Sequence, residues 1–317
     1  MSYNVENLFH PAHDTVAGIE KDDWEWTPEG ERRWSYTRYY QKEENIARVL
    51  TNIGEWEGVD VVGLQEVENA AVVKRLCYTL RRGEYDFVHY ESPDQRGIDV
   101  ALVYKKARID TLRTRAIRVK PNPDPSLKGR ELITRDILYV CARVDKRDTV
   151  HFFVCHMPSQ RGGKAESEWK REAAREVLQR AVDSVFVVNP EAKIVVMGDM
   201  NSDELEVKGL KNERVKELKN ERVKELTNEG VNGTHKYQGR WSYLDHFYVS
   251  EALDSLSQAW VYAPEWILET DEKYMGLKPK RTYNGFHYQN GYSDHLPIVM
   301  TIESDVQRTN VQCMKDL

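Results

Sequence analysis

The polar residues that most constrain how this chain can fold stand at the ends of its apolar runs. Glu66 follows "VVGLQ", His156 follows "FFVC", Asp199 follows "IVVMG", Asp245 follows "WSYL", and Asp294 with His295 directly precede "LPIVM". Apolar runs of about four to eight residues, rich in Val and Ile and bounded by polar groups, read as buried strands. Asp and His are costly to bury, and Pro297 can only open a strand or sit on its edge. A set of strands that present polar side chains at one mouth accounts for this pattern, and strand ends are where scaffolds carry catalytic groups.

Between these runs the period changes. Residues from about 39 to 53 place Ile46, Val49, Leu50 and Ile53 at helical spacing, "NAAVVKRLCYTLRR" reads as a second helix, and residues 164–185 as a third. Residues 1–9 form a short strand ending in a polar turn, and residues 10–38 a loop that carries Trp24, Trp26, Trp34 and Tyr36. Strands and helices alternate with no compositional break, so residues 1–317 are expected to form a single α/β domain. The octad "LKNERVKE" occurs twice over residues 210–225, with a decayed copy at 226–233. An eight-residue period drifts by about 80° per repeat on an α-helix, so residues from about 204 to 230 are expected to be a surface helical insertion. Two and a half copies are too few for a repeat architecture.

Composition narrows the function. Net charge is −6, so no global basic field draws in nucleic acid, although an enzyme needing only brief contact with DNA or RNA stays open. No apolar run reaches the roughly 18 residues of a membrane span, and a monomer is expected. The four cysteines, Cys77, Cys141, Cys155 and Cys313, lack metal-site spacing, and Cys141 and Cys155 are expected as buried thiols. No export signal is visible; Met1 is not assumed to be the natural start, so a secreted or periplasmic location stays open. Among the strand-end residues oxygen ligands dominate. Glu66, Asp294 and the Asn4 amide suit a hard cation such as Mg²⁺. Two histidines remain for proton transfer or for a phosphoryl oxygen. This is an inventory for metal-assisted hydrolysis of phosphate esters.

The phrases "YNVEN", "LQEVEN", "GDMNS", "YLDHF" and "SDHLPI", in this order, resemble the endonuclease/exonuclease/phosphatase superfamily from about Asn4 to Ile302. "SPDQRGIDVALVY" and "RTYNGFHYQNGYSDHLP" resemble uncharacterised bacterial members most. The resemblance implies a four-layer α/β/β/α sandwich of two packed mixed β-sheets, with the site at one end, and Mg²⁺ or Mn²⁺ as cofactor. It implies Glu66 as the metal-binding Glu with Asn4 and Asp294 as helpers. Asp199 is then the residue that positions or deprotonates the attacking water, and Asn201 orients the nucleophile. His295 lies beside the phosphate with Asp245 fixing its tautomer. His156 is a candidate acid for the leaving oxygen, and Arg96 a phosphate-binding fork. Either Asp199 or His295 could be the base, and one-metal and two-metal mechanisms both stay open.

Other residues read as structural. His246 points away from Asp245 if its strand is regular, and His151 opens its strand at the surface. Glu6 reads as a solvated carboxylate as readily as a metal ligand. Ser159 and Arg161 read as part of a plain glycine turn or, alternatively, as phosphate contacts, and the tryptophans fasten a long loop or, alternatively, stack on bases. Three functions follow: a phosphodiesterase on nucleic acid, a phosphatase or phosphodiesterase on a small molecule or lipid head group, and an inactive binding protein. The Trp-x-Asp-Arg signature of inositol-polyphosphate phosphatases is absent from "WSYLDHF". The octad reading has its own test. Deleting one eight-residue copy should move the melting temperature by no more than about 2 °C, as for a surface change; loss of the cooperative transition would show that the repeat packs into the core.

Overall fold

The central strands alternate between two environments, and this alternation builds the layers. The computed structural model describes residues 1–14, 21–53, 58–81, 83–120, 132–160, 162–203, 207–212 and 231–303. In chain order the strands are β1 (Ser2–Leu8), β2 (Val61–Val67), β3 (Tyr85–His89), β4 (Asp99–Lys105), β5 (Ile109–Ile117), β6 (Ile137–Val144), β7 (Asp148–His156) and β8 (Lys193–Asp199). They continue with β9 (Leu210–Asn212), β10 (His235–Tyr237), β11 (Arg240–Ser242), β12 (Asp245–Ser250), β13 (Ser257–Val261), β14 (Leu268–Thr270), β15 (Leu277–Pro279), β16 (Tyr283–Asn284), β17 (His287–Tyr288) and β18 (Ile298–Ile302). The helices are α1 (Tyr36–Asn52), α2 (Ala70–Leu80), α3 (Lys164–Val188) and the single turn α4 (Glu251–Asp254).

Two six-stranded sheets result, in the orders β13-β18-β1-β2-β4-β3 and β5-β6-β7-β8-β12-β9. Pairing is parallel between β1 and β2 and between β7 and β8, and antiparallel between the other neighbours, so both sheets are mixed. In β8, Ile194 and Val196 pack with Val177, Leu178 and Val182 of α3, whereas Val195 and Met197 belong to the core shared with the first sheet. β7 does the same with Phe153 and Cys155 outward and Phe152 and Val154 inward. Ile46, Val49, Leu50, Val72 and Leu76 of α1 and α2 join the core on the other side of the first sheet. The result is the expected helix, sheet, sheet, helix order. Asn69 caps α2, its side-chain oxygen accepting from Ala71 N at 2.9 Å and Val72 N at 3.2 Å.

The structure corrects four expectations. Leu210–Asn212, expected as helix, is the edge strand β9, pairing Tyr248 with Asn212 and Ser250 with Leu210. The exposed backbone of β12 takes a hydrogen-bonded partner there, which outweighs the local helical preference. The rest of the octad repeat lies outside the described residues, as do Arg161 and Cys313. The run "WSYLDHFYVS" is two strands, β11 and β12, and not one. Cys141 is only half-buried, while Cys77 and Cys155 are buried, all three being free thiols. Glu6 is not solvated but 4% exposed, because Arg281 and Thr282 satisfy it. In the aromatic loop Trp26 and Trp34 are buried, and Trp34 Nε1 donates to Phe9 O at 2.8 Å. Trp24 is 58% exposed and stacks on His13.

Gly198, the last residue before Asp199, has φ of 145°, and an added Cβ would stand 1.9 Å from the Cys155 carbonyl oxygen on the neighbouring strand. Backbone cannot yield as a flexible side chain would. Gly198→Ala should therefore destabilise the fold by at least about 3 kcal/mol, the combined scale of backbone strain and overpacking. Urea denaturation would measure it; a loss of under about 1 kcal/mol would show that β7 and β8 can separate locally.

Candidate active site

The period of two that faces Val195 and Met197 inward also faces Asp199 inward, and it does the same for His156 after Val154 and for Asp245 before Phe247. Register then aligns them. Asp199 is the Cα partner of His156 on one side and of Asp245 on the other, so three polar residues stand abreast on β7, β8 and β12. From the opposite sheet Asn4 Nδ2 donates to Asp199 Oδ2 at 3.1 Å. Thr234 Oγ1 accepts from Asp245 N at 3.2 Å, and the Thr234 carbonyl accepts from Leu296 N at 2.7 Å, which ties β12 to the segment after His295.

Strain aims the remaining groups. β1 and β2 bulge side by side, with register shifts between Asn4 and Leu8 and between Gln65 and Val67. Glu6, Asn7, Glu66 and Asn201 all have positive φ, a costly state for non-glycine residues that clusters at functional sites. The bulge re-aims Glu66, which a regular strand would turn to the face of Leu64. Asn7 N donates to Glu66 Oε2 at 3.0 Å. Asn201 N donates to Asp199 Oδ1 at 2.8 Å, and its side-chain nitrogen donates to the Met157 carbonyl at 3.0 Å.

These contacts form a continuous set. His156 Nε2 lies 4.0 Å from Glu66 Oε1 and 3.6 Å from Asp199 Oδ2; His295 Nε2 lies 3.8 Å from the same Asp199 oxygen. His295 Nδ1 is 2.8 Å from Asp245 Oδ2, which assigns the proton on Nδ1 to that hydrogen bond. Arg96 Nη2 donates to Asn7 Oδ1 at 2.7 Å and stands 3.8 Å from Glu66 Oε2. Asp294 joins through Arg281, whose Nη2 donates to Asp294 Oδ2 at 3.0 Å and to Glu6 Oε1 at 3.2 Å. Asn4, Glu66, Arg96, His156, Asp199, Asn201, Asp245 and His295 are thus brought together directly, and Asp294 borders them.

Electrostatics divides their roles. Burial pushes the Asp199 carboxyl up to about 7, against the opposing pull of His295. Burial disfavours the His295 imidazolium, but the Asp245 and Asp199 carboxylates outweigh it and hold its pKa well above the usual range. Burial, and then Arg135 and Arg96, keep His156 well below it, so His156 is neutral; its Nδ1 is buried without a hydrogen-bond partner. Burial would raise Asp294, yet Arg281 and then His295 and His235 hold it down to about 2.

Sequence reasoning missed three neighbours. The His235 ring lies tilted against that of His295, 4.8 Å between centroids, and burial lowers its pKa to about 4. Arg281 bridges Glu6 and Asp294. Lys42 Nζ donates to Thr282 Oγ1 and, at 2.6 Å, to the Tyr292 carbonyl; burial pulls it down to about 8, although Glu6, Asp294 and Glu66 favour its charge. A signal for Lys42 was present, a charge on the apolar face of α1 between Tyr39 and Ile46. His246 faces away from the set, its Nε2 within 2.9 Å of the Ser202 and Tyr243 carbonyls, and His151 Nδ1 pairs with the Tyr139 hydroxyl at 2.8 Å.

The described residues also gather His89, Glu91 and Asp99, with ligand-type atoms within 4.8 Å of one another. Buried Lys21 already binds Glu91 at 2.5 Å and Asp14 at 3.1 Å, and Asp99 accepts from Ser92 N at 3.3 Å.

Residues 1–304 match the endonuclease/exonuclease/phosphatase family. The chain belongs to that family. Its members are phosphoester hydrolases, in general dependent on divalent metals. No curated protein sequence matches the chain at a significant level. Among solved structures, a truncated TDP2 from Caenorhabditis elegans superposes with a TM-score of 0.55 at 17% identity, over 85% of this chain and 93% of that one. A family protein from Bacteroides thetaiotaomicron gives 0.56 at 18% identity, over 94% of each chain. The mannosyl-6-phosphatase of the same species gives 0.56 at 16% identity, over 96% of this chain and 98% of that one. At these identities the likeness establishes the DNase I-like fold.

The His295 and Asp245 pair generates a quantitative expectation. His295→Ala should lower turnover on the order of 10²–10⁴, the range of a positioned acid–base group, and Asp245→Asn should be slow because it loses charge and tautomer control. The losses should be strongly non-additive, since groups acting as a unit fail together. Rates of both single mutants and the double mutant decide this; logarithms that simply add would dissolve the pair.

Proposed function

We propose that this protein is a divalent-metal-dependent hydrolase of phosphate esters, and the observation that carries the reading is the unbroken set Glu66, His156, Asp199, His295 and Asp245 at the mouth between the sheets. Glu66, Asn4 and Asp294 would hold Mg²⁺ or Mn²⁺; the donors are hard oxygens, which fit such an ion. The bound ion would neutralise charge on the phosphoryl oxygens. Asp199, with a pKa near neutrality, suits the role of base toward water. The Asn201 side-chain nitrogen is committed to Met157, so the amide offers its carbonyl oxygen to orient that water. His295, as imidazolium, donates from Nε2 to a phosphoryl oxygen, and Asp245 fixes which nitrogen points there. Burial holds the His156 pKa down, so in the ligand-free site it is a neutral hydrogen-bonding imidazole, and the resemblance implies it as the acid for the leaving oxygen. Arg96 supplies a guanidinium fork to phosphate.

For the substrate, the first reading is a phosphodiester of DNA or RNA. The second is a small-molecule phosphate ester. It is favoured by the net charge of −6, which gives no long-range attraction for a polyanion, and by the end-to-end likeness to a mannosyl-6-phosphatase. Plasmid nicking, run beside a panel of small phosphomonoesters and phosphodiesters, separates them. In either case EDTA should abolish hydrolysis and Mg²⁺ restore it, and Glu66→Gln should raise the Mg²⁺ concentration needed for half-maximal rate while the protein stays folded. Full activity in EDTA would refute the metal reading.

A further inference from the structure

The acidic side of the candidate site already carries a cation of its own. Arg281 Nη2 donates to Asp294 Oδ2 at 3.0 Å, and Nη2 and Nε donate to Glu6 Oε1 at 3.2 and 3.3 Å. Glu66 adds its charge to the same surroundings. Glu6 is also bound by Thr282 N at 2.7 Å, so it keeps a partner when the guanidinium leaves. Asp294 accepts from the Arg281 fork at one oxygen, and it is the carboxylate of this pair assigned to the metal.

The backbone beneath Arg281 is clamped. Lys42 of α1 ties Thr282 Oγ1 to the Tyr292 carbonyl, and Asn45 Nδ2 donates to the Gly291 carbonyl at 2.9 Å. Gly291 lies so close to the Arg281 carbonyl that a Cβ would stand 2.1 Å from it. The side chain, by contrast, is 40% exposed. A long, part-exposed arm on a fixed base can exchange one oxyanion for another without moving the fold.

We propose that Arg281 is a built-in counter-cation that competes with the divalent ion for Asp294, and that its guanidinium binds the phosphoryl oxygens of the substrate. The inference rests on the metal reading above. Two cations on one carboxylate repel. Repulsion between even two unit charges about 4 Å apart shifts an equilibrium roughly five-fold at the dielectric of water, and a doubly charged ion or the exclusion of water raises that factor. Phosphate then gives the fork a second oxyanion partner of suitable geometry.

The test is Mn²⁺ binding to the substrate-free full chain, measured by calorimetry, together with steady-state rates on a small phosphodiester and a small phosphomonoester. Arg281→Gln removes the charge and should bind Mn²⁺ at least about five-fold more tightly while kcat/KM falls. Arg281→Lys keeps the charge without the fork, so its Mn²⁺ affinity should match the wild type while kcat/KM still falls. It also keeps the test available if the Gln variant does not fold, which thermal denaturation in EDTA would reveal. Tighter metal binding combined with slower turnover is a result that a purely structural Arg281 would not give. Equal or weaker Mn²⁺ binding by Arg281→Gln would overturn the competition and make Arg281 a support for Asp294. Tighter binding with unchanged kcat/KM would overturn the phosphoryl contact. A wild type that binds no Mn²⁺ would overturn this inference and the metal reading together, whereas wild-type binding with a failed variant pattern would overturn this inference alone.

Discussion

Asp199 is a carboxylate only 2% exposed, placed where the two sheets meet. Taking such a group out of water costs several kcal/mol unless hydrogen bonds and charges replace the lost hydration. Its replacements come from every side: Asn4 from the first sheet, Asn201 N from the following turn, and the rings of His156 and His295 within 4 Å. Each of these groups belongs to a different segment, so the surroundings of one charge link the relative positions of β1, β7, β8 and the loop before β18. Much of the candidate site is arranged around this requirement, and the raised pKa of Asp199 is what remains of the cost.

The same requirement explains why the bulges lie where they do. A regular β2 would put Glu66 on the helix-facing side with Leu64, away from Asp199. A single left-handed residue reverses that, and β1 matches it with two, Glu6 and Asn7, so that the neighbouring strands turn together. Strain of this kind persists only where the surroundings over-determine it. Here Asn7 N binds the Glu66 carboxylate, Thr282 N binds that of Glu6, and Arg96 reaches Asn7.

How far the sequence could disclose this arrangement depends on the range of each contact. The α/β alternation, the strands that carry Glu66, His156 and Asp199 at or next to their ends, and the facing of Asp245 against His246 were all legible, because each follows from a local period of two or 3.6. The order of strands was not in the periodicity, which fits a doubly wound sheet equally well. The four-layer sandwich came from the resemblance carried by "GDMNS" and "SDHLPI". Arg281, His235 and Lys42 escaped because contacts that place them are distant in sequence: Lys42 and Thr282 are 240 residues apart, and Arg281 and Glu6 are 275 apart. The short strand β9 escaped for a similar reason, since the β12 edge decides it and its own residues prefer helix. Glu6 was ambiguous for want of the Arg281 contact that settles its surroundings.

The charge of the site departs from that of the chain, and the difference bears on how a substrate would arrive. Five carboxylates, Glu6, Glu66, Asp199, Asp245 and Asp294, surround Lys42, Arg96, Arg281 and the His295 imidazolium, so the ligand-free cluster is close to balance. In the function proposed above, a phosphate group entering it would add charge that Arg281 meets by exchanging Asp294 for a phosphoryl oxygen, and that His295 meets from Nε2 while Asp245 stays on Nδ1. A divalent ion would ease that exchange, because it would give the released Asp294 carboxylate a ligand role. The net charge of −6 acts at long range, where salt screens it within about 8 Å. The cluster acts at contact distance in a buried mouth, where screening is weak. On the function proposed above, a phosphate ester would therefore be captured on contact by the fixed geometry of the site, and the field of the whole protein would contribute little to drawing it in.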